Sequence, residues 1–167
     1  MDYYQNVVID YLRANRSTFV NTEYCIQLNP MANPDQSGPH WYCDALALDL
    51  NSQTAFLCEV SYARHLNDLT KRIKSWHESW ELLLAALGRD SSMGKIGLGW
   101  PVRPWLFVPE ERVKLLLRRF DQIAEGKPLR FAPRITPLEM VQPWQYCSWN
   151  RDGEKQKTSA IPDGMQI

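Results

Sequence analysis

Apolar positions along the chain follow two rhythms, and each predicts an element type. Tyr4, Val7, Val8, Tyr11 and Leu12 recur at steps of three and four, the period of a helix face, with Asp2 placed to act as N-cap. This helix is expected to end near Ser17. Residues 18–28, TFVNTEYCIQL, then read as a strand, being rich in β-branched and aromatic side chains. Residues 29–39 hold three prolines, two Asn-Pro steps and a glycine, a loop too long for a tight hairpin and expected to overhang a neighbouring surface. Two apolar runs follow, 41–50 and 54–62, joined by Asn51, Ser52 and Gln53. Strict alternation would put Tyr42, Asp44, Leu46 and Leu48 on one face of the first. On the second, Leu57, Glu59 and Ser61 would share one face and Phe56, Cys58 and Val60 the other. Both runs are apolar on both sides, as in a sheet covered on both faces.

The rhythm then changes. Leu66, Leu69, Ile73, Trp76, Trp80, Leu83 and Leu87 keep helical spacing without a miss, which predicts one helix over 66–87, closed by Gly88 as a C-cap. Lys71, Lys74 and Glu78 fall off that stripe, towards solvent. The glycine-rich stretch 88–101 is not a phosphate loop. Five residues separate Gly88 from Gly94 where four are needed, and Ile96 follows Lys95 where a magnesium-holding hydroxyl belongs. VRPWLFVP reads as a buried strand. Pro109, Glu110 and Glu111 open a helix whose apolar face is Val113, Leu116, Leu117, Phe120 and Ile123. RITPLEMV is a last strand, interrupted by Pro137 and therefore at an edge. From about Ser148 the chain is polar and expected to fray. The order helix, three strands, helix, strand, helix, strand predicts an α/β (α+β) fold with a mixed central sheet flanked by helices. It would form one domain over residues 1–147, followed by a C-terminal tail, 148–167.

Composition narrows the function classes. The 167 residues carry 19 basic and 19 acidic side chains, so a strongly basic nucleic-acid coat is excluded while a local basic patch is not. No apolar run approaches the roughly 20 residues of a membrane span, so no membrane partner is expected. MDYYQNVVID has an acid where a signal peptide needs basic residues, and the expected location is the cytoplasm. Cys25, Cys43, Cys58 and Cys147 show neither a CxxC pair nor zinc spacing and read as small buried hydrophobes.

An acid inside each apolar run is the unusual feature. If the runs pair through the short turn, Asp44 and Glu59 come opposite each other at one end of the sheet. Two carboxylates about 4–5 Å apart repel by roughly 3–4 kcal/mol at an effective dielectric near 20. A half-buried pair therefore wants a cation between them, and oxygen ligands with room for water suit Mg²⁺ or Mn²⁺. The other reading has one acid facing solvent or pairing with an arginine such as Arg64.

CDALALDLNSQTAFLCEVS, set in this element order, resembles the PD-(D/E)XK nuclease superfamily, with its restriction-endonuclease-like αβββαβ core. The likeness covers residues 2–109, with the later helix and strand as additions. In that family an Asp on the second core strand and an acid-x-Lys on the third bind a divalent metal and activate water for phosphodiester hydrolysis. The resemblance implies Asp44 and Glu59 as metal ligands and Glu23 as the upstream acid, here on the first strand and not in the first helix. Two residues depart from the pattern. Cys43 stands where proline is common, and Ser61 stands where the lysine belongs. A serine hydroxyl supplies no charge comparable to that lysine. Lys71 on the following helix is one substitute, although its place opposite the stripe argues against it, and Arg64 or His65 just past the strand are others.

His40, beside Trp41, is placed to reach a phosphate, as are Arg64, His65 and Lys71, and the long proline-rich loop would border the site. The resemblance thus implies a Mg²⁺-dependent DNA nuclease with catalytic residues Asp44, Glu59, Ser61 and Glu23. The alternative is a degenerate member, marked by Ser61, that binds nucleic acid or a protein. A homodimer or partner protein is expected to help so small a domain choose its DNA. A third reading is an interaction module using Trp144 and Trp149 of the tail.

Overall fold

The computed structural model describes residues 2–28, 39–90 and 99–143. The proline-rich loop, most of the glycine-rich stretch, Cys147 and the tail with Trp144 and Trp149 lie outside the described residues. Helix α1 (Tyr3–Ala14) leads into strands β1 (Thr18–Gln27), β2 (His40–Asp49) and β3 (Thr54–Val60). Helices α2 (Asn67–Glu78) and α3 (Trp80–Arg89) follow, then β4 (Val102–Val108), α4 (Glu110–Ala124), β5 (Arg134–Pro137) and a 3-10 turn at Leu138–Val141. The five strands lie in sequence order, β1 to β3 antiparallel and β3 to β5 parallel. This is the mixed α+β sheet that the pattern predicts, and among the described residues no helix is long and apolar enough to cross a membrane.

Helices cover both faces. Val8, Ile9 and Leu12 of α1 pack with Leu138 and Val141 against Ala45, Ala47, Phe56, Cys58, Trp105 and Phe107. On the other face, α2, α3 and α4 place Leu69, Ile73, Trp76, Leu83, Leu116 and Phe120 over Leu46, Leu57, Leu106 and Val108. Each such side chain contributes roughly 1.5–3 kcal/mol on full burial, so the two layers fix which way β3 and β4 face. Cys43 and Cys58 are free, buried thiols, as expected, whereas Cys25 is free but only half-buried.

The predicted single helix over 66–87 is two helices that meet at Ser79, whose φ of −119° and ψ of 29° depart from helical values. The ladder runs on across this point, from Ser79 N–H to Ser75 and from Leu83 N–H to Ser79, so the break is a bend. Just before it, the Ser75 hydroxyl donates to the Lys71 carbonyl, back-bonding of the kind that bends helices. Gly88 lies in the last turn of α3, and the C-cap is Asp90. β5 is an edge strand but stops at Pro137, the remaining residues turning into the 3-10 segment.

The faces of β1 and β2 also depart from strict alternation, next to the acids. Val20, Ala45 and Ala47 face α1, yet Tyr24, Ile26, Cys43 and Trp41 face the opposite layer. Alternation therefore reverses phase in β1 and β2 together. The ladder keeps its register through this point, Thr22 opposite Ala45 and Tyr24 opposite Cys43, with Glu23 and Asp44 left between. Glu23 sits at φ +51°, a left-handed turn of the backbone that re-aims the side chains beyond it as a bulge does. Tyr42 and Leu46 consequently do not share a face.

Candidate functional site

The β2–β3 ladder ends at Ala45 opposite Cys58, and the next step of that register sets Asp44 across from Glu59. Just past the ladder's end, the Val60 N–H donates to Asp44 Oδ2 at 2.7 Å. Asp44 Oδ1 accepts from Gln5 Nε2, also at 2.7 Å. Gln5 is the N3 residue of the α1 capping box. Its Oε1 accepts from the Asp2 N–H and its own N–H donates to Asp2 Oδ1. One side chain thus ties the start of α1 to the strand acid.

Glu59 follows Leu57 on the face covered by α2 and is only 4% exposed. Arg72, projecting from α2, donates through Nη1 to Glu59 Oε2, while Glu59 Oε1 is buried without a hydrogen-bond partner among the described residues. The Arg72 side chain remains 40% exposed, so the pair opens to solvent on one side. Burial pushes the Glu59 carboxyl up to about 8, against the lowering effect of Arg72, and the nearby Asp44 charge adds to the rise. Burial also raises Asp44, opposed by the Val60 N–H, by Arg72 and by Gln5. Burial lowers Arg72, but its bond to Glu59 and the charge of Asp44 outweigh that and hold it charged. One guanidinium therefore serves two carboxylates.

The other predicted residues divide. Glu23, exposed and left-handed, stands across from Asp44 in the β1–β2 register, so the three acids fall on one line across the sheet. Ser61 is half-buried just past β3, its N–H bonded to the Phe107 carbonyl. Arg64 and His65 are exposed in the segment leading to α2. Lys71 points to solvent and pairs with Asp68 at 3.6 Å, away from the carboxylates. His40 is exposed at the start of β2, edge-on to the Tyr42 ring and four residues, about 13 Å, from Asp44.

Two residues escaped the sequence reading. Arg72 belongs to a small basic run, Lys71, Arg72 and Lys74, that reads from the sequence as a solvated helix face; instead it is the arginine on Glu59, where Arg64 was expected. Its position three after Leu69 and four before Trp76 was the available signal, since it flanks the apolar stripe. Gln5 stands three residues after Asp2, which signals the helix start, but its bond to Asp44 depends on how α1 docks and left no signal.

The donor set suits Mg²⁺ or Mn²⁺ in part. Such ions take one or two carboxylates and keep several waters, and the orphaned Glu59 Oε1 is an acceptor wanting a cation or a proton. Among the described residues, however, no group of three or more His, Cys, Asp or Glu side chains is placed to hold a metal. Comparison with protein-family models, curated proteins and solved structures finds no match to this chain.

Proposed function

We propose that the chain is a metal-dependent phosphodiester hydrolase of the PD-(D/E)XK kind, in which Arg72 supplies the charge that the motif lysine supplies elsewhere. The observation that carries this reading is that Arg72 reaches from α2 to Glu59 and acts on Asp44 as well. The element order and the antiparallel-then-parallel sheet support it. Asp44 and Glu59 would hold the ion, with Glu23 on the same line. A divalent ion there would supply Lewis acidity to a phosphate oxygen and to water. Arg72 stabilises negative charge developing on the phosphate, and its half-exposed guanidinium is open to a ligand on the solvent side. It stays protonated and so does not act as the base. Gln5 and the Val60 N–H hold the Asp44 carboxylate in place.

A second reading has its own support. Both Asp44 oxygens already accept hydrogen bonds, and Arg72 already occupies one oxygen of Glu59. A site whose acids are so largely partnered within the chain describes a degenerate nuclease fold that binds nucleic acid or protein without turnover.

The test is cleavage of plasmid, single-stranded and branched DNA in Mg²⁺ or Mn²⁺ by the wild type, Glu59→Gln, Arg72→Ala and Arg72→Lys. Metal-dependent cleavage lost in Glu59→Gln and Arg72→Ala and kept in part by Arg72→Lys is the expected result. No cleavage by the wild type in either metal leaves the binding-only reading.

A further inference from the structure

Three tyrosines converge beside the carboxylates. Tyr62 follows Glu59 by three residues, and Tyr4 immediately precedes Gln5, the partner of Asp44. The Tyr4 and Tyr62 rings lie 4.6 Å apart and 33° from parallel, and Tyr3 meets Tyr4 edge-on at 5.4 Å. Tyr3 is 72% exposed, Tyr4 40% and Tyr62 53%. Only seven large apolar side chains are exposed among the described residues, and three of them form this one cluster. Scattered exposed apolar residues need no explanation, whereas a contiguous patch marks an interaction surface. Tyr3 and Tyr4 also line a pocket with Val7, Leu138, Glu139, Val141 and Gln142.

Cations follow the platform along the chain. Arg64 and His65 are exposed two and three residues after Tyr62, and the half-exposed Arg72 lies on the next helix. We infer that Tyr62, Tyr4 and Tyr3 form a stacking platform for the bases of an unpaired nucleic-acid strand, whose phosphates pass Arg64, His65 and Arg72 to reach Asp44 and Glu59. The choice of ligand rests on the hydrolase reading. Base faces are available for stacking only where the strand is unpaired, and stacking does not depend on net charge. A duplex, with its bases stacked inside, would offer these rings nothing to stack on and would have to be held chiefly through its phosphates.

Binding of labelled single-stranded and duplex oligonucleotides of one sequence, as DNA and as RNA, is measured by fluorescence anisotropy in EDTA, so that no cleavage occurs. Single strands are expected to bind more tightly than duplex. Tyr62→Ala and Tyr4→Ala should each weaken single-strand binding by about tenfold, while Tyr62→Phe and Tyr4→Phe retain it and show that the fold is intact. The DNA and RNA arms tell which unpaired strand is preferred. Equal or tighter duplex binding, alanine variants that bind like the wild type, or no binding by the wild type would each overturn the platform. Tyrosine-dependent single-strand binding without cleavage in Mg²⁺ or Mn²⁺ would keep the platform and reject the hydrolase. Duplex cleavage indifferent to the tyrosines would do the reverse.

Discussion

At the scale of single residues, the energetic weight rests on a carboxylate that is almost wholly buried and a guanidinium that is not. Removing one partner of a buried pair ordinarily costs about 3–5 kcal/mol, because an uncompensated charge stays behind. Arg72 keeps 40% of its side chain in water, so solvent screens the pair and the expected cost of Arg72→Ala is about 1–3 kcal/mol at pH 8. Adding Glu59→Gln should recover most of that loss. Urea midpoints across the double-mutant cycle would measure it, and additive losses would mean that the two side chains are not coupled. Asp44 has a structural duty separate from any metal. Asp44→Ala leaves the Val60 N–H and the Gln5 amide unpaired and should cost about 1–3 kcal/mol, while Asp44→Asn, which keeps an acceptor oxygen, should cost less. Equal midpoints for the two variants would show that these bonds contribute nothing.

At the scale of elements, the sequence spoke clearly wherever periodicity governs and fell silent where one backbone angle does. The stripe from Leu66 to Leu87 is buried throughout, as its spacing predicts, yet the bend at Ser79 inside it depends on hydroxyl-to-backbone bonding that hydrophobic spacing does not register. The pairing of Asp44 with Glu59 was legible because a short turn fixes the β2–β3 register. The direction in which Asp44 points was not, since Glu23 takes a left-handed conformation that no glycine announces. Arg72 was half legible, because its helical position predicts a place beside the stripe but not the depth of Glu59. Gln53, exposed in the β2–β3 turn, sits at φ +50°. Glycine adopts that conformation without the cost of a Cβ, so Gln53→Gly should raise stability by about 0.5–1 kcal/mol and Gln53→Val should lower it. Chemical denaturation of the two variants checks this, and an unchanged midpoint in both would mean that the turn has another shape in solution.

Across the whole molecule, the buried acid links folding, pH and metal. Burial raises the Glu59 carboxyl from 4.5 to about 8 and raises Asp44 above 3.8, so the folded chain holds protons that the unfolded chain has already released. Stability from such groups is complete below the unfolded pKa and is lost as pH climbs through the folded one. The window for Glu59 runs from about pH 4.5 to about pH 8, with a slope of at most about 1.4 kcal/mol per pH unit. Asp49 acts in the opposite sense. Burial raises it, but bonds from Ser52, Asn51 and Ser17 prevail and lower it below 3.8, so its contribution is lost only at more acid pH. Thermal unfolding from pH 5 to 8 should therefore show a falling melting temperature in the wild type and a flatter profile in Glu59→Gln. If Asp44 and Glu59 hold a divalent ion, binding requires their ionised forms and works against that fall. Mn²⁺ should then raise the melting temperature more at pH 8 than at pH 6, and the effect should vanish in Glu59→Gln. A pH profile that Glu59→Gln flattens but Mn²⁺ leaves untouched would identify Arg72 as the only cation the site takes, and would decide for binding without turnover.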